Sequence, residues 1–301
     1  MPDTSPHGLL ILNKPGGLTS HDVVNRVRRA THIKQVGHAG TLDPMATGVL
    51  VVCVGQATRI SEYLTGHDKT YRATMRLGIE TDTYDADGEV VATHEVHVER
   101  AEVEQALRSF VGDIQQIPPM YSALKRDGQK LVDLARQGIE IEREPRAVTV
   151  YSIDLLDYQA LDVTIEVHCS AGTYIRSIAH DLGALLKTSA HLTALTRTAS
   201  GPFPMQQAID LASFEVRAQA GQWQPLLRSM DEALSDWPLV VVDEADRGRA
   251  LNGAPLFSIR LAAPRCRAHD AQGNLLALLV FDQKTQWWRA EKVLAMINTG
   301  T

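Results

Sequence analysis

The stretch HAGTLDPMATG, residues 38–48, carries one acid, Asp43, between Leu42 and Pro44 and within reach of Gly40 and Gly48. Asp before Pro has two readings. As a helix start, the carboxylate would accept backbone N–H bonds and the proline would take the first helical position. As a reagent, the acid would sit on a stiff bend, because Pro44 drives Asp43 towards extended backbone and the small neighbours let another molecule approach. A helix opening at Pro44 would meet Gly48 within about one turn and then the β-branched run GVLVVCVG, which reads as a buried strand. That conflict favours the bend. A second charged residue, Arg176, falls on a strand-to-helix turn in CSAGTYIRS, and His38, Tyr71 and Tyr174 add rings near the two. A carboxylate on a rigid loop and a basic residue on a turn, with rings near both, are what remains that could do chemistry. Each residue also has a blander role: Arg176 could lay its stem on apolar surface, and the tyrosines could be core.

Several other chemistries lack their residues. There is no Gly-rich phosphate loop ending in Lys-Ser or Lys-Thr, no dinucleotide fingerprint behind the first strand, no His-Glu-x-x-His and no Gly-x-Ser-x-Gly. TDTYDADGEVV lacks the closing glutamate of a calcium loop starting at Asp82. Cys53, Cys169 and Cys266 are too scattered for a disulfide framework or a paired zinc site, so they read as buried small residues. The expected chemistry therefore uses no cofactor and no metal.

The elements that must position these residues follow from patterning. LLILNKP reads as a strand, and Thr19 or Ser20 caps a helix whose Val23, Val24 and Val27 keep helical spacing. Residues 31–48 read as one long loop, the kind that is commonly functional. GVLVVCVG is a strand, Ala57 to Leu64 a short helix, KTYRATMRLG a strand and TDTYDADGEVV a turn entering a strand. Val98 to Phe110 is an amphipathic helix, and MYSALKRDGQKLVDLARQG a loop, a turn and a helix. AVTVYSIDLLDY and LDVTIEVHCS are strands; GTYIRSIAHDLGALL is a helix burying Ile178, Leu182 and Leu185 or Leu186. Beyond Phe214 short pieces (LVVVD, APLFSIRL, PRCRAHD, NLLALLVFD, WWRAEKVL) separated by turns predict a small all-β unit.

The chain of 301 residues, 44% hydrophobic, is long enough for one large domain and a smaller one. No apolar run approaches the roughly 20 residues of a membrane span. No basic segment precedes LLIL, so no secretory signal is expected and the cytoplasm is the default compartment. The net charge of −6 argues against a polyanionic partner, but its distribution argues the other way. Lys14, Arg26, Arg28, Arg29 and Lys34 face only Asp22, whereas Asp231 to Asp246 is strongly acidic. The basic stretch could track phosphates or simply be a solvated helix face.

HAGTLDPMATGVLVVCVGQAT resembles the catalytic motif of the bacterial TruB family of tRNA pseudouridine synthases, which isomerise the T-loop uridine at tRNA position 55. LLILNKPGGLTSHDVVNRVRR is similar to that family's Lys-Pro segment and DKTYRATMRLGIETDTYDADG to its tyrosine segment. IPPMYSALKRDGQKLVDLARQGIEIEREPR resembles its RNA-embracing insertion, HCSAGTYIRSIAHDLG its arginine segment and HLTALTRTASGPF its leucine segment. These occur in the family's order from about residue 9 to 204.

The resemblance implies an α+β pseudouridine synthase fold, with a mixed, largely antiparallel sheet flanked by helices over residues 1–236, and an RNA-binding insertion at about 118–148. A small β-rich PUA-like domain would follow at 237–301. It makes Asp43 the nucleophile, Arg176 its ion-pair partner and Tyr71 the ring stacked on the target uracil. His38 would support the flipped-out RNA, Tyr174 and Leu195 would line the base pocket, and Lys14 and Pro15 would support the active-site loop. The partner implied is the T-arm of tRNA, with no membrane, no obligate protein partner and a monomeric chain. Attack on the sugar, attack on the base and proton abstraction through a glycal all remain open as routes. Two positions depart from the family pattern: Ala171 replaces a frequent lysine, and Thr196 an arginine commonly found after the leucine. Both remove positive charge near RNA, with Arg197 as the expected compensation. The competing readings are a guide-RNA-dependent synthase subunit and a non-catalytic RNA-binding or tRNA-folding protein.

Overall fold

The computed structural model describes residues 6–294 except 123, 127, 136 and 140. Parts of the expected insertion and the last seven residues of the expected C-terminal domain thus lie outside the described residues.

One ten-stranded sheet organises the larger part of the molecule. Strands β1 (Gly8–Lys14) and β3 (Thr47–Val54) pair antiparallel, with β2 (Val36–Ala39) also on β3. Next to β3 runs the strand Ala190–Ser200, parallel to it, and then β4 (Lys69–Leu77), followed by Asp162–Cys169, Arg146–Gln159 and Gly112–Gln116, all antiparallel. The run VLVVCV is apolar throughout because β3 is covered on both faces. Leu50, Val52 and Val54 enter one core, with Val23, Val24, Val27, Ile178 and Leu182 from the helices; Val49, Val51 and Cys53 enter the other.

Helix α1 (Ser20–Thr31) starts as patterning predicts. Thr19 is its N-cap, and a capping box with Asp22 closes the end. The helix Ile175–Leu185 buries Ile178 and Leu182; of the two candidates beyond, Leu186 packs on the core and Leu185 is exposed.

Two expectations fail. Residues 31–48 are not one loop, because β2 is inserted there: Val36 and Ala39 are buried, and pairing with β3 satisfies their backbone. The unpatterned sequence QVGHAG hid a strand that tertiary pairing creates. The C-terminal unit is β-rich but not all-β. Leu239–Val241, Arg265–His269, Leu275–Asp282 and Trp287–Val293 form a four-stranded sheet, on which the helix Glu244–Leu251 packs through Ala250. APLFSIRL is no strand; only Leu256 makes a bridge, to Trp288.

That second sheet docks on the far face of the first through Leu278 and Leu294, which share a core with Leu9 and Ile11. At the seam Trp237 meets Tyr63 edge-on at 5.0 Å, Arg265 lies over both rings, and Lys292 reaches Glu62 at 2.9 Å. Asp231 accepts from both Arg267 and His269, at 2.8 and 2.7 Å, so part of the acidic run is consumed internally. Among the described residues, no helix is long and apolar enough to cross a membrane.

Candidate active site

Asp43 is no helix cap: residues 41–46 contain no helix, and its own carbonyl accepts from Ala46 N at 3.1 Å in a turn. The loop between β2 and β3 is fastened from below along its length. Gly40 and Thr41 carbonyls accept from Arg197 at 3.0 and 3.4 Å, and Leu42 exchanges hydrogen bonds with Ser20 Oγ. The Pro44 carbonyl accepts from Lys14 Nζ at 3.2 Å and Gly17 N at 2.8 Å. Lys14 also donates to Pro15 and Leu18 carbonyls. With its ammonium buried, its pKa drops to about 8.

Arg176 lies at the start of the helix Ile175–Leu185, oriented by Gln116, which receives the Tyr174 N–H at 2.7 Å and donates to the Tyr174 carbonyl at 2.9 Å. Its guanidinium is the centre of the site. Nη2 donates to Asp43 Oδ1 at 3.1 Å, and Nε lies 3.1 Å from Oδ2. Nη1 reaches Asp85 Oδ2 and the Thr83 carbonyl, each at 3.3 Å, and Nη2 also reaches the Tyr121 carbonyl at 2.8 Å. One buried cation therefore serves two carboxylates, which is what keeps it inside the protein. Asp85 is itself held by Thr83 Oγ1 at 2.6 Å.

Asp43 keeps a third of its side chain accessible, while Arg176 is almost wholly enclosed. The enclosing structure pushes the Asp43 pKa upward, and Arg176 pulls against that shift. The result is a carboxylate with one open side, poised above its ordinary range yet paired with a fixed charge. Tyr71 on β4 and Leu195 are buried, at 9% and 7% exposure, and the Tyr71 phenol feels the Asp43 charge. Tyr71 also belongs to the hydrophobic core; burial raises its pKa, with Arg197 hydrogen-bonded beside it. His38 on β2 is half-buried; burial first, then Arg197 and His21, lower its pKa. Its Nδ1 has no hydrogen-bond partner among the described residues.

The five cations of the basic stretch divide between internal contacts and solvent. Lys14 holds carbonyls, Arg26 pairs with Glu215, and Arg28 donates to the Val36 carbonyl at 2.7 Å, which leaves Arg29 and Lys34 exposed. Arg197 does not compensate for Ala171 and Thr196. At 1% exposure it holds the Asp43 loop, and Gly48 makes room for it: a Cβ there would stand 2.3 Å from the Arg197 carbonyl. Thr196 instead bonds Thr47 Oγ1 at 2.8 Å. Sequence reasoning missed Asp85 and Gln116. DTYDADG signalled only a turn, and an acid's distant partner leaves no local pattern. Among the described residues no group of three or more His, Cys, Asp or Glu side chains could hold a metal ion.

Residues 28–175 match the model of the TruB family pseudouridylate synthase N-terminal domain, and residues 176–235 that of the tRNA pseudouridylate synthase B C-terminal domain. The chain is 49% identical over 233 residues to a tRNA pseudouridine synthase B of Syntrophotalea carbinolica, covering 77% of this chain and 76% of that one. With the namesake of Dechloromonas aromatica it shares 45% identity over 271 residues, 90% of each chain. Among solved structures it is similar to a Cbf5–Nop10–Gar1 complex, with TM-score 0.75 and 27% identity over 96% of this chain and 85% of the other.

Proposed function

The chain belongs to the TruB family of pseudouridylate synthases, and from that premise we propose that it isomerises uridine 55 in the T loop of tRNA to pseudouridine. Asp43 is the nucleophile and Arg176 its ion-pair partner. The observation that carries this reading is the 3.1 Å pairing of those two side chains, 133 positions apart in sequence, with a third of the Asp43 side chain still accessible.

The reaction breaks the bond from ribose C1′ to uracil N1 and joins C1′ to C5 of the same base. C5 gives up a proton and N1 ends with one, so no electrons are exchanged and no co-reactant is consumed. The nucleotide must first leave its stack, at a cost of a few kcal/mol. Tyr71 as a stacking surface returns about 1–3 kcal/mol of that. His38 supports the everted RNA, and Tyr174 and Leu195 line the base pocket. Arg176 holds Asp43 ionised while the bound base excludes water.

Residues 1–236 form the catalytic domain in this reading, and 237–301 the PUA-like domain. The chain works as a monomer in the cytoplasm without an obligate protein partner. Identity of 49% over 77% of the chain and 45% over 90% of it to proteins named tRNA pseudouridine synthase B, against 27% to the Cbf5 complex, supports this over the guide-RNA-dependent alternative. The test is release of tritium from C5-labelled uridine in an isolated T-arm hairpin by the purified chain alone. Release confined to position 55 is expected; none would overturn the proposal.

A further inference from the structure

Three successive residues of the turn after the strand Ile79–Thr81 meet one face of the helix Ile175–Leu185. The Thr83 carbonyl and the Asp85 carboxylate each lie 3.3 Å from Arg176 Nη1. Between them, Tyr84 turns its ring onto His180, with centroids 4.1 Å apart and planes 27° from parallel. His180 stands four positions after Arg176, so the two side chains share a face one helical turn apart. Neither ring has a part in the chemistry at Asp43.

Tyr84 holds a strained backbone to make that contact. Its φ is +64°, a left-handed conformation that glycine adopts freely and a bulky side chain resists. The turn is pinned around it: the Tyr84 N–H donates to the Thr81 carbonyl at 3.1 Å, and the Tyr84 carbonyl accepts from Leu192 N at 3.0 Å. The His180 ring is fixed as well. Nδ1 lies 3.0 Å from Asp181 Oδ1 on its own helix, and Nε2 lies 3.4 Å from Glu80 Oε1 on the strand Ile79–Thr81. Glu80 Oε2 in turn accepts from Ser189 Oγ at 3.1 Å. The Asp181 hydrogen bond raises the His180 pKa against the pull of burial, and Glu80 adds to the rise, which favours an imidazolium facing the phenol ring. A turn alone would be served by glycine without strain. Strain retained where the turn grips the helix of Arg176 marks a ring kept for what it holds.

We propose that Tyr84 and His180 are positioning residues for Arg176: their stack locks the turn bearing the Thr83 carbonyl and Asp85 onto the helix, occupying Nη1 and leaving Nη2 and Nε aimed at Asp43. The effect on rate rests on the uridine-isomerising reading of the Asp43 site; the effect on the guanidinium does not. Both rings act through Arg176 and not on the base, so losing the stack should slow the chemical step without weakening RNA binding.

Tyr84→Gly is the decisive variant, because glycine accepts φ +64° and the change removes only the ring, so its melting temperature should stay close to that of wild type. In single turnover on a uridine T-arm hairpin its rate should fall about tenfold, with the dissociation constant for the hairpin unchanged to within about twofold. Tyr84→Phe keeps the ring and should recover to within about threefold of wild type. His180→Ala should match Tyr84→Gly, and the double variant should be no more than about threefold slower than either, because both changes cut one link. A wild-type rate for Tyr84→Gly, equal losses for Tyr84→Gly and Tyr84→Phe, losses that multiply in the double variant, or a dissociation constant rising in step with the lost rate each overturns the proposal. A measurement without RNA separates its failure from that of the Asp43 reading. Exchange of the Arg176 guanidinium protons with water, followed by nitrogen–proton NMR, should be about tenfold faster in Tyr84→Gly than in wild type. Unchanged exchange overturns the positioning role. If the wild-type chain leaves the uridine hairpin unmodified, the uridine reading falls and the exchange rates alone decide for or against the stack.

Discussion

The loop that carries Asp43 and the insertion that faces it are both irregular, but they are held in opposite ways. Every carbonyl from Gly40 to Pro44 is engaged, by Arg197, Ser20, Ala46, Lys14 or Gly17, and buried side chains reach up from α1, β1 and the sheet to do it. The insertion and the residue before it touch the helix of Arg176 through the Ile117 and Tyr121 carbonyls, and the insertion otherwise borders a cavity of about 650 Å³ lined by Pro118, Leu131, Arg143, Arg146 and Ala171. One side of the site is built to hold an acid still, and the other to admit a large substrate. Pre-organisation is concentrated where charge must be placed to within fractions of an ångström.

The sharpest way to break this contrast is Asp43→Asn, nearly isosteric and uncharged. Tritium release should fall below about one part in 10⁴ of wild type, while RNA affinity by filter binding stays within about tenfold, 1.4 kcal/mol. Its stability is equally informative. A carboxyl whose folded pKa lies above its unfolded value binds more protons folded than unfolded, so wild type loses stability as pH rises through the folded pKa. Asp85 still neutralises Arg176 in the variant. Asp43→Asn should therefore melt at or above the wild-type temperature at pH 7, and the advantage should vanish below pH about 3.8. A lower melting temperature at neutral pH would show the acid to be a structural fixture.

Arg176→Lys keeps a charge but cannot span Asp43, Asp85, Thr83 and Tyr121. Turnover should drop about 10²- to 10³-fold. With weaker pairing the acid limb of the pH–rate profile should move to higher pH, since activity is lost as pH falls through the Asp43 pKa.

Two glycine substitutions compare the regions directly. At Gly48, φ is +105° and a Cβ would stand 2.3 Å from the Arg197 carbonyl, so Gly48→Ala should cost about 2–4 kcal/mol by urea unfolding. Gly138, near the insertion's far end, has φ +71° with open space around it, so Gly138→Ala should cost about 1 kcal/mol. Equal losses would erase the contrast.

The smallest effect expected is at Ala171, on the insertion's cavity beside Arg143 and Arg146. Ala171→Lys should strengthen RNA binding a few-fold and steepen the dependence of log affinity on log salt by about 0.7–0.9. An unchanged salt slope would place that position away from the phosphates.

The sequence was most legible where local and tertiary demands agree. The capping box at Thr19, the twin-faced apolar run of β3 and the period of the helix around Ile178 each follow from patterning. Asp43 was legible as an acid on a bend because Pro44 and the strand behind it rule out a helix. Arg197 was not, since a basic residue in TRTAS looks solvated until the sheet folds over it and gives it carbonyls to bind. β2 escaped for a related reason: its pairing partner, and not its own residues, makes it a strand. Asp85 hid inside a turn motif, because ion pairing between residues 91 positions apart writes nothing into either neighbourhood.

The strand Ala190–Ser200 is wedged between β3 and β4, parallel to the first and antiparallel to the second. Until that strand has left the ribosome, β3 with its partners β1 and β2 has no sheet pairing that joins it to β4. A nascent chain ending short of Ser200 thus carries Asp43, Tyr71 and Arg176 but lacks the staple that aligns them. Truncated translation products should be inert rather than partly active, and the switch from silent to competent should come within the few seconds of synthesis that deliver that strand.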